Sequence, residues 1–269
     1  MRPLLTLLCL LLGACTTQPA RIPSGEHPTI VSLNPCTDAI LAEVADPGQL
    51  LAISHYSQEP RASSMPLTEA RRFRATGGTV EEVLALDPDV VVASAFLAPA
   101  SAQAFARLGI PVKTFGTIAT VADSEGQIRR LARLAGHPER GEALIARIDA
   151  SLAAGRWPGK PVTALLWEQG GIVAGNDTLI AQLMTNAGFA SQSAARGLGQ
   201  GASLPLERVL ADPPRAILAA GGERPLTHPA LRKLAGVRYA ALDPALLYCG
   251  GPTIVRAAHR LAEVRRSIG

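Results

Sequence analysis

The sequence predicts an α/β protein made of two parallel-sheet lobes with a cleft between them. The first observation is an internal repeat, in which residues 81–88 and 207–214 both read E-x-V-L-A-x-x-P. Each copy runs into an apolar stretch typical of a buried strand. The second observation is the helical pattern of residues 121–155, which lie between the copies. Two similar units joined in this way indicate two lobes, and clefts between domains are common sites for small molecules.

The connecting segment, residues 120–158, carries start and stop signals for helices. Thr120 and Asp123 have the spacing of a capping box. Gly136 and Pro138 end the first helix, and a second one follows to about residue 155. An ordinary surface helix is the alternative interpretation, but the flanking repeat favours a spine between two lobes.

The N-terminal lobe is predicted to comprise residues 28–119 and the C-terminal lobe residues 159–269. The first alternates strands and helices as β-α-β-α-β, which predicts a parallel sheet covered on both faces. The second begins with a strand at residues 162–167 and closes with a helix at residues 254–268.

Composition indicates a globular chain that does not bind nucleic acid. Of its 269 residues, 48% are hydrophobic and 18% are charged, which argues against disorder. The net charge of +4 is modest, and no basic stripe with interleaved aromatics is present in the sequence.

The N-terminus has the features of an exported lipoprotein. A basic start precedes the apolar residues 4–12, which are too few to span a bilayer. This run closes on Leu-Gly-Ala-Cys, which resembles a bacterial lipobox with Cys15 as the lipidated residue. We therefore expect residues 1–15 to be a lipoprotein signal peptide and residues 16–27 a tether. The protein would then lie on the periplasmic face of a membrane, held through its lipid anchor.

Export leaves two cysteines, Cys36 and Cys249, in an oxidising compartment. Three interpretations are open. The first is a disulfide between the two, which requires Cα atoms within about 7 Å. The second is contact with a ligand or its metal as soft donors, and the third is a pair of buried thiols. We favour contact with the ligand.

Three stretches, residues 29–35, 53–57 and 80–91, together resemble the helical-backbone (class III) periplasmic binding proteins of ABC importers, which serve uptake of vitamin B12, ferric siderophores and haem. The similarity extends over nearly the whole mature chain. It implies two lobes joined by a single long helix, an ABC permease with its ATPase subunits as partner, no cofactor and no catalysis. The ligand implied is a metal chelate. We expect a corrinoid resembling vitamin B12, with a ferric siderophore or haem as alternatives.

The resemblance and the predicted strand ends also indicate site residues. Two glutamates, Glu81 and Glu207, correspond to those that dock the permease in this family. Their alternative role is to stabilise a helix N-terminus. The ligand-binding candidates lie in loops at the cleft: Asn34, Pro35, Cys36, His55, Tyr56, Trp167, Glu168, Gln169, Tyr248, Cys249 and Gly250.

No resident metal site is predicted. If the protein contacts the metal of a ligand directly, we expect Cys36, Cys249 or His55 to make that contact. The other four histidines lie on tether, turn, loop and helix, which argues against a simple metal-ion binder: His27, His137, His228 and His259. The sequence contains no G-x-S-x-G or H-E-x-x-H motif, so no catalytic residue is predicted. A cell-envelope lipoprotein enzyme is the alternative of a different class.

Overall fold

The computed structural model of the protein describes residues 25–221 and 228–268. The predicted signal peptide, Cys15 and most of the tether lie outside the described residues. Among the described helices, none combines the length and the apolar character that a membrane span requires.

The first lobe is built on a five-stranded parallel sheet in the order β3-β2-β1-β4-β5. Alternate residues of β1 face opposite sides: Ile30 packs with the helix that follows it, and Val31 packs in a second cluster with Val83 and Phe105. The sheet is therefore covered on both faces, as predicted. Its strands are β1 Ile30–Ser32, β2 Leu50–Ser54, β3 Ala75–Thr76, β4 Val90–Ser94 and β5 Val112–Phe115. Its helices are α1 Pro35–Val44, α2 Leu67–Ala70, α3 Val80–Leu84 and α4 Pro99–Arg107, with a 3-10 turn at His55–Gln58.

The second lobe has a six-stranded sheet that is mixed and not purely parallel. Its main path is β11-β10-β6-β7-β9, with β8 beside β6, and β7 runs antiparallel to both of its neighbours. The difference arises because Gly170 and Gly171, with φ of 79° and 81°, turn the chain back directly after β6. The strands are β6 Val162–Glu168, β7 Ile172–Val173, β8 Phe189–Ser191, β9 Ala202–Ser203, β10 Ala216–Ala220 and β11 Arg238–Leu242.

The connector consists of two helices, α5 Val121–Leu134 and α6 Pro138–Gly155, and not of the single long helix that the resemblance implied. The capping box is confirmed. Thr120 Oγ1 accepts from the Asp123 amide at 3.0 Å, and Asp123 Oδ2 accepts from the Thr120 amide at 3.0 Å. Gly136, with φ of 84°, ends the first helix. The remaining helices are α7 Leu179–Asn186, α8 Gln192–Ala195, α9 Leu206–Ala211, α10 Pro229–Arg232 and α11 Pro252–Ile268, with short 3-10 turns at Gln169–Gly171 and Pro244–Leu246.

One hydrophobic core links both lobes through the connector. Ile40 of α1, Ile128 of α5, Ile148 of α6 and Ile254 of α11 are fully buried in the same cluster. Helix α11 of the second lobe packs on α6 of the connector and on α1 of the first lobe. The two lobes are therefore joined by shared packing behind the cleft. This arrangement disfavours large hinge movements.

Candidate functional site

The lobes approach each other at the carboxyl ends of their parallel strands, where open α/β sheets present ligand-contacting loops. In the first lobe these ends lead into residues 33–36, 55–58 and 95–98. In the second lobe they lead into residues 169–171 and 243–251. These two sets of loops form the two edges of a cleft, which we call the first-lobe edge and the second-lobe edge.

A disulfide joins the two edges. Cys36, at the start of α1, is bonded to Cys249, in the loop before α11, with Cα atoms 5.0 Å apart. Our expectation that these cysteines contact the ligand as soft donors is wrong, because each sulfur is bonded to the other. Ser64 of the first lobe donates to Cys249 Sγ at 2.8 Å and its carbonyl accepts from Thr253 Oγ1 at 2.8 Å. This end of the cleft is therefore closed by covalent and polar contacts.

Asn34 and Pro35 shape the entry to α1. The Asn34 side chain accepts a hydrogen bond from the Cys36 amide at 2.9 Å, which makes it the N-cap. Pro35 occupies the first helical position, where its missing N–H costs nothing. Both residues hold the loop that presents Cys36 to the opposite lobe.

A buried carboxyl, Asp38, ties α1 to the loop after β2. Its Oδ2 accepts from the Ser54 amide at 2.9 Å and from Ser57 Oγ at 2.6 Å. Burial raises the pKa of Asp38 to about 7, although these hydrogen bonds oppose the shift. Sequence reasoning missed this residue, because nothing local distinguishes it from an ordinary first-turn aspartate.

His55 and Tyr56 lie side by side on the first-lobe edge, with ring centroids 4.0 Å apart. His55 Nδ1 is 3.3 Å from the carbonyl oxygen of Thr76. In the tautomer that donates this hydrogen bond, Nε2 keeps a free lone pair, an arrangement common in metal-binding histidines. Tyr56 is 51% exposed, although it is a large aromatic residue.

On the second-lobe edge, the Tyr248 hydroxyl donates to Glu168 at the end of β6. Burial and this hydrogen bond raise the pKa of Tyr248 above its usual range. Gln169 follows directly and is exposed. Gly250 is buried, and a Cβ there would lie 2.3 Å from both Ile118 and Ser124. Gly250 thus serves close backbone packing against the connector.

Trp167 lies in the core and not on the cleft wall. It is 6% exposed and packs with Leu165, Val173 and Val209. It precedes the last residue of β6, so it faces the side of the sheet on which Val209 of α9 packs, while Glu168 faces the other way.

Three cleft residues escaped sequence reasoning. Arg61 of the first lobe lines a cavity of about 270 Å³ together with Glu168, Gln169 and Tyr248 of the second lobe. Ile172 also lines it and is 40% exposed. The third is Phe96, which follows β4 and is 79% exposed. An aromatic residue just past a buried strand is the one signal that points to Phe96.

A larger cavity, of about 720 Å³, lies beside α7. It is lined by Thr120 and Trp157 at the two ends of the connector and by Asn176 and Thr185 of the second lobe. Apart from Ala119, the last residue of the first lobe, its walls come from the connector and the second lobe. None of its lining residues belongs to either cleft edge.

Glu81 and Glu207 are both exposed and both stand in the first turn of a helix. Each helix, α3 or α9, leads into an inner strand of its own sheet, β4 or β10. The two glutamates therefore occupy equivalent places in the two lobes.

The histidines are not all separated, contrary to expectation. His137 Nε2 lies 2.8 Å from Asp46 Oδ2, and the His27 ring is 4.6 Å from the His137 ring. His228 Nδ1 accepts from a backbone amide at the start of α10, and His259 is exposed on α11.

Comparison with known proteins identifies the family. A family model described as "Periplasmic binding protein" matches residues 30–235, more than half of the chain. The chain belongs to this periplasmic binding protein family. Members of this family are substrate-binding proteins of transport and not enzymes, and those of ABC importers deliver ligands to permeases. Membership implies a periplasmic location. The comparison with curated proteins gives no match.

Solved structures of periplasmic binding proteins share the fold. The apo haem-binding protein RhuT from Roseiflexus sp. RS-1 is 23% identical with a TM-score of 0.74, covering 90% of this chain and 99% of its own. The haem-binding protein HutB of Vibrio cholerae is 20% identical with a TM-score of 0.72, covering 87% and 97%. The vitamin B12-binding protein BtuF of Vibrio cholerae is 18% identical with a TM-score of 0.64, covering 89% and 97%. At these identities the likeness shows the fold alone.

Proposed function

We propose that this periplasmic binding protein captures a corrinoid resembling vitamin B12 in its cleft and delivers it to an ABC permease. The observation that carries the proposal is the set of exposed aromatic residues at the cleft edges. Tyr56 and Phe96 stand on the first-lobe edge, and Tyr248 stands on the second-lobe edge. Aromatic side chains offer a large rigid surface at small entropic cost, which suits a flat macrocycle.

The charge of the cleft supports a corrinoid over haem. Among the described residues that line the 270 Å³ cavity, Arg61 is the one cation and Glu168 the one carboxylate. Haem carries two carboxylates that are best matched by several cations, whereas the periphery of a corrinoid is neutral and rich in amides. A balanced pair of charges with the polar Gln169 fits the neutral periphery.

Haem and ferric siderophores are the alternatives. In the tautomer that donates from Nδ1 to the Thr76 carbonyl, His55 has a lone pair on Nε2 for the metal of a cobalt or an iron macrocycle. RhuT and HutB are described as haem-binding proteins, which moves haem ahead of a ferric siderophore as the second candidate. A ferric siderophore whose own donors fill all six positions of the iron would gain nothing from His55.

A titration of the full chain, in detergent, tests the choice of ligand. Cyanocobalamin, haemin and a ferric siderophore are added separately and followed by calorimetry and absorbance. We expect saturable one-to-one binding of cyanocobalamin below 1 µM, on the order of −8 kcal/mol or better. Tight binding of haemin or of the siderophore, with no binding of cyanocobalamin, would overturn the proposal of a corrinoid ligand and leave the transport role unchanged.

Two variants locate the binding surface. Tyr56→Ala removes an exposed aromatic from the first-lobe edge, and we expect about a tenfold or larger loss of affinity, as for other aromatic anchors. Leu108→Ala is the matched control, since Leu108 is 42% exposed at the far end of α4. Equal affinities in the two variants would contradict the placement of the ligand.

Docking to the permease is assigned to Glu81 and Glu207. Exposed carboxylates in equivalent places on the two lobes give orientation and association rate more than affinity. Charge reversal of both, Glu81→Lys with Glu207→Lys, is expected to abolish uptake into cells and to leave the affinity for ligand unchanged. Asp149→Lys with Glu263→Lys makes the same change in net charge elsewhere and serves as the control. Uptake that survives the first pair excludes these residues as docking points.

The membrane anchor is assigned to Cys15. Two or more acyl chains on this residue would hold the protein stably at the membrane, which one chain does not achieve. Cys15→Ser is expected to release the protein into the soluble periplasmic fraction, measured by fractionation and intact mass. A Cys15→Ser protein that stays at the membrane although its intact mass shows the signal peptide removed would contradict the assignment.

A further inference from the structure

Two histidines and an aspartate meet at the end of the first lobe that lies away from the cleft. His27 precedes β1, Asp46 follows α1, and His137 lies between α5 and α6. One donor atom of each residue lies within 4.8 Å of the other two. His137 is buried and the other two are half-buried. Three separate chain segments thus bring metal-ligating side chains to one point.

We propose that His27, Asp46 and His137 form a binding site for a divalent transition-metal ion of the Zn²⁺ class. Two imidazoles and one carboxylate are a donor set that suits Zn²⁺, Co²⁺ and Ni²⁺. Zn²⁺ bonds of about 2.0–2.1 Å require donors about 3.4 Å apart in a tetrahedral site. His137 Nε2 and Asp46 Oδ2 are already 2.8 Å apart. A side-chain rotation of His27 brings in the third donor, and water completes the coordination.

The surroundings orient the ligands as an outer shell would. Arg140 donates to Asp46 Oδ1 at 2.7 Å and leaves Oδ2 directed at His137. On the other side of the His137 ring, Nδ1 lies 3.6 Å from Glu139 Oε1. A carboxylate that accepts from the far nitrogen of a ligating histidine is a common feature of metal sites. A small shift of the exposed Glu139 side chain would complete that hydrogen bond.

A buried glutamine holds the three segments together. Gln49 Nε2 donates to the carbonyls of Pro28 and Ala135, each at 2.9 Å, and its Oε1 accepts from the Asp46 amide at 2.9 Å. Gln49 thus bonds the backbone of Asp46 itself, of the residue after His27 and of the residue two before His137. These hydrogen bonds of Gln49 fix the backbone around the site and do not use the side chains of the three proposed ligands.

Gly136 makes room for His27. A Cβ at residue 136 would lie 2.1 Å from His27 Nδ1, so the imidazole packs directly on the glycine backbone. The metal would therefore tie the residues before β1, where the chain enters the first lobe, to the turn of the connector.

The site is separate from the cargo cleft. The ten residues of α1 lead from Cys36 at the cleft to Asp46 at the opposite end, about 15 Å at the usual rise of a helix. A metal here would stabilise the fold without contacting the ligand, and the two binding events are expected to be independent.

The experiment is a Zn²⁺ titration of the EDTA-treated full chain, purified without a histidine tag. Calorimetry gives the stoichiometry, Co²⁺ absorbance reports the coordination, and thermal unfolding gives the stabilisation. We expect one equivalent of Zn²⁺ with a Kd below 10 µM and a higher unfolding temperature, in line with preferential binding to the folded state. Cyanocobalamin affinity is measured with and without Zn²⁺ and is expected to be unchanged.

The variant His27→Gln removes one ligand with the least damage to the fold. Within the described residues His27 packs through its ring and takes part in no hydrogen bond, whereas His137 is bonded to Asp46. We expect Zn²⁺ affinity to fall at least tenfold in His27→Gln and to stay unchanged in His259→Gln, which alters an exposed histidine on α11. Absence of saturable binding below 100 µM for Zn²⁺, Co²⁺ and Ni²⁺, or equal affinity in both variants, would overturn the proposal.

Discussion

On the first-lobe edge, polar side chains and backbone amides converge on one buried carboxyl, whereas glycines shape the second-lobe edge. Asp38 binds both Ser54 and Ser57 and so joins α1 to the loop that carries His55 and Tyr56. The second-lobe edge instead turns at Gly170, Gly171 and Gly251, all with positive φ. Its exposed Tyr248 is held by Glu168.

The difference shows how one architecture can support a cleft in two ways. In the first lobe a side-chain hub fixes the loops, so their stability depends on the protonation of Asp38. In the second lobe the backbone conformation itself sets the loops, so their stability depends on having no side chain at a few positions. The disulfide between Cys36 and Cys249 connects these two systems. Each can be disturbed separately.

The largest effect is expected from loss of the disulfide. The bond links positions separated by 213 residues, and the chain-entropy model gives a stabilisation of about 5 kcal/mol for a loop of that size. Cys36→Ser with Cys249→Ser is therefore expected to lower the free energy of unfolding by about this amount, measured by urea denaturation.

The control is a reductant. It should lower the denaturation midpoint of the parent protein towards that of the double variant and leave the variant itself unchanged. Identical midpoints for the parent protein with and without reductant, at verified loss of the bond, would show that the cross-link does not stabilise the cleft.

The next effect is a pH dependence that originates on the first-lobe edge. The pKa of Asp38 is about 7 in the folded protein, against an ordinary value of 3.8. Between these values the folded state binds a proton that the unfolded state does not, so stability falls as pH rises from about 4 to 7. Linkage gives a loss on the order of 4 kcal/mol over the whole range.

Asp38→Asn isolates this contribution, because asparagine keeps the shape and carries no charge. The difference in unfolding free energy between the parent protein and Asp38→Asn should favour the parent increasingly as pH falls from 7 to 4. Asp149→Asn, on an exposed face of α6, should show no such trend. A difference that is constant with pH would mean that Asp38 titrates normally.

The two-lobe fold was predictable because its signals are local. The capping box at Thr120 and Asp123 and the helix end at Gly136 are decided by residues within one or two turns. The repeated motif also gave the right order of helix and strand in both lobes. Tyr56 and Tyr248 were chosen as ligand-binding candidates in the same way, as aromatic residues that follow strands, and both are exposed.

The missed features depend on contacts between distant residues or on the exact end of a strand. Asp46 and His137 are 91 residues apart in the sequence, and no local pattern predicts that they are in contact. Trp167 and Phe96 show the second limit. Trp167 is the last but one residue of β6 and its side chain is buried, whereas a strand that ended one residue earlier would leave it in the loop. Phe96 lies just beyond the end of β4 and is exposed. Strand ends are uncertain by more than this from sequence alone.

A smaller effect is expected from a side chain at Gly251 of the second-lobe edge. Its φ is 62°, and a Cβ would lie 2.5 Å from Ile40 Cγ1 of the first lobe. Left-handed strain and overpacking together predict a loss of about 3 kcal/mol in unfolding free energy for Gly251→Ala.

Gly197→Ala is the matched control, since Gly197 has φ of 68° and nothing within 4 Å of its Cβ position. It should lose only about 1 kcal/mol, the backbone part of the strain. Equal losses at the two positions would mean that the lobes move apart at little cost.

The smallest effect is expected from the N-cap of α3, which distinguishes this first copy of the repeated helix from the second copy, α9. Thr79 Oγ1 caps α3 by accepting from the Glu82 amide at 3.2 Å, whereas Pro205 precedes α9 without a side-chain cap. Thr79→Ala is expected to cost about 1 kcal/mol of unfolding free energy, and Thr79→Ser to restore most of it, because the hydroxyl is what the helix start needs. Urea denaturation of the three proteins measures this. If Thr79→Ser is as unstable as Thr79→Ala, packing of the Thr79 methyl group and not the cap distinguishes the first copy from the second.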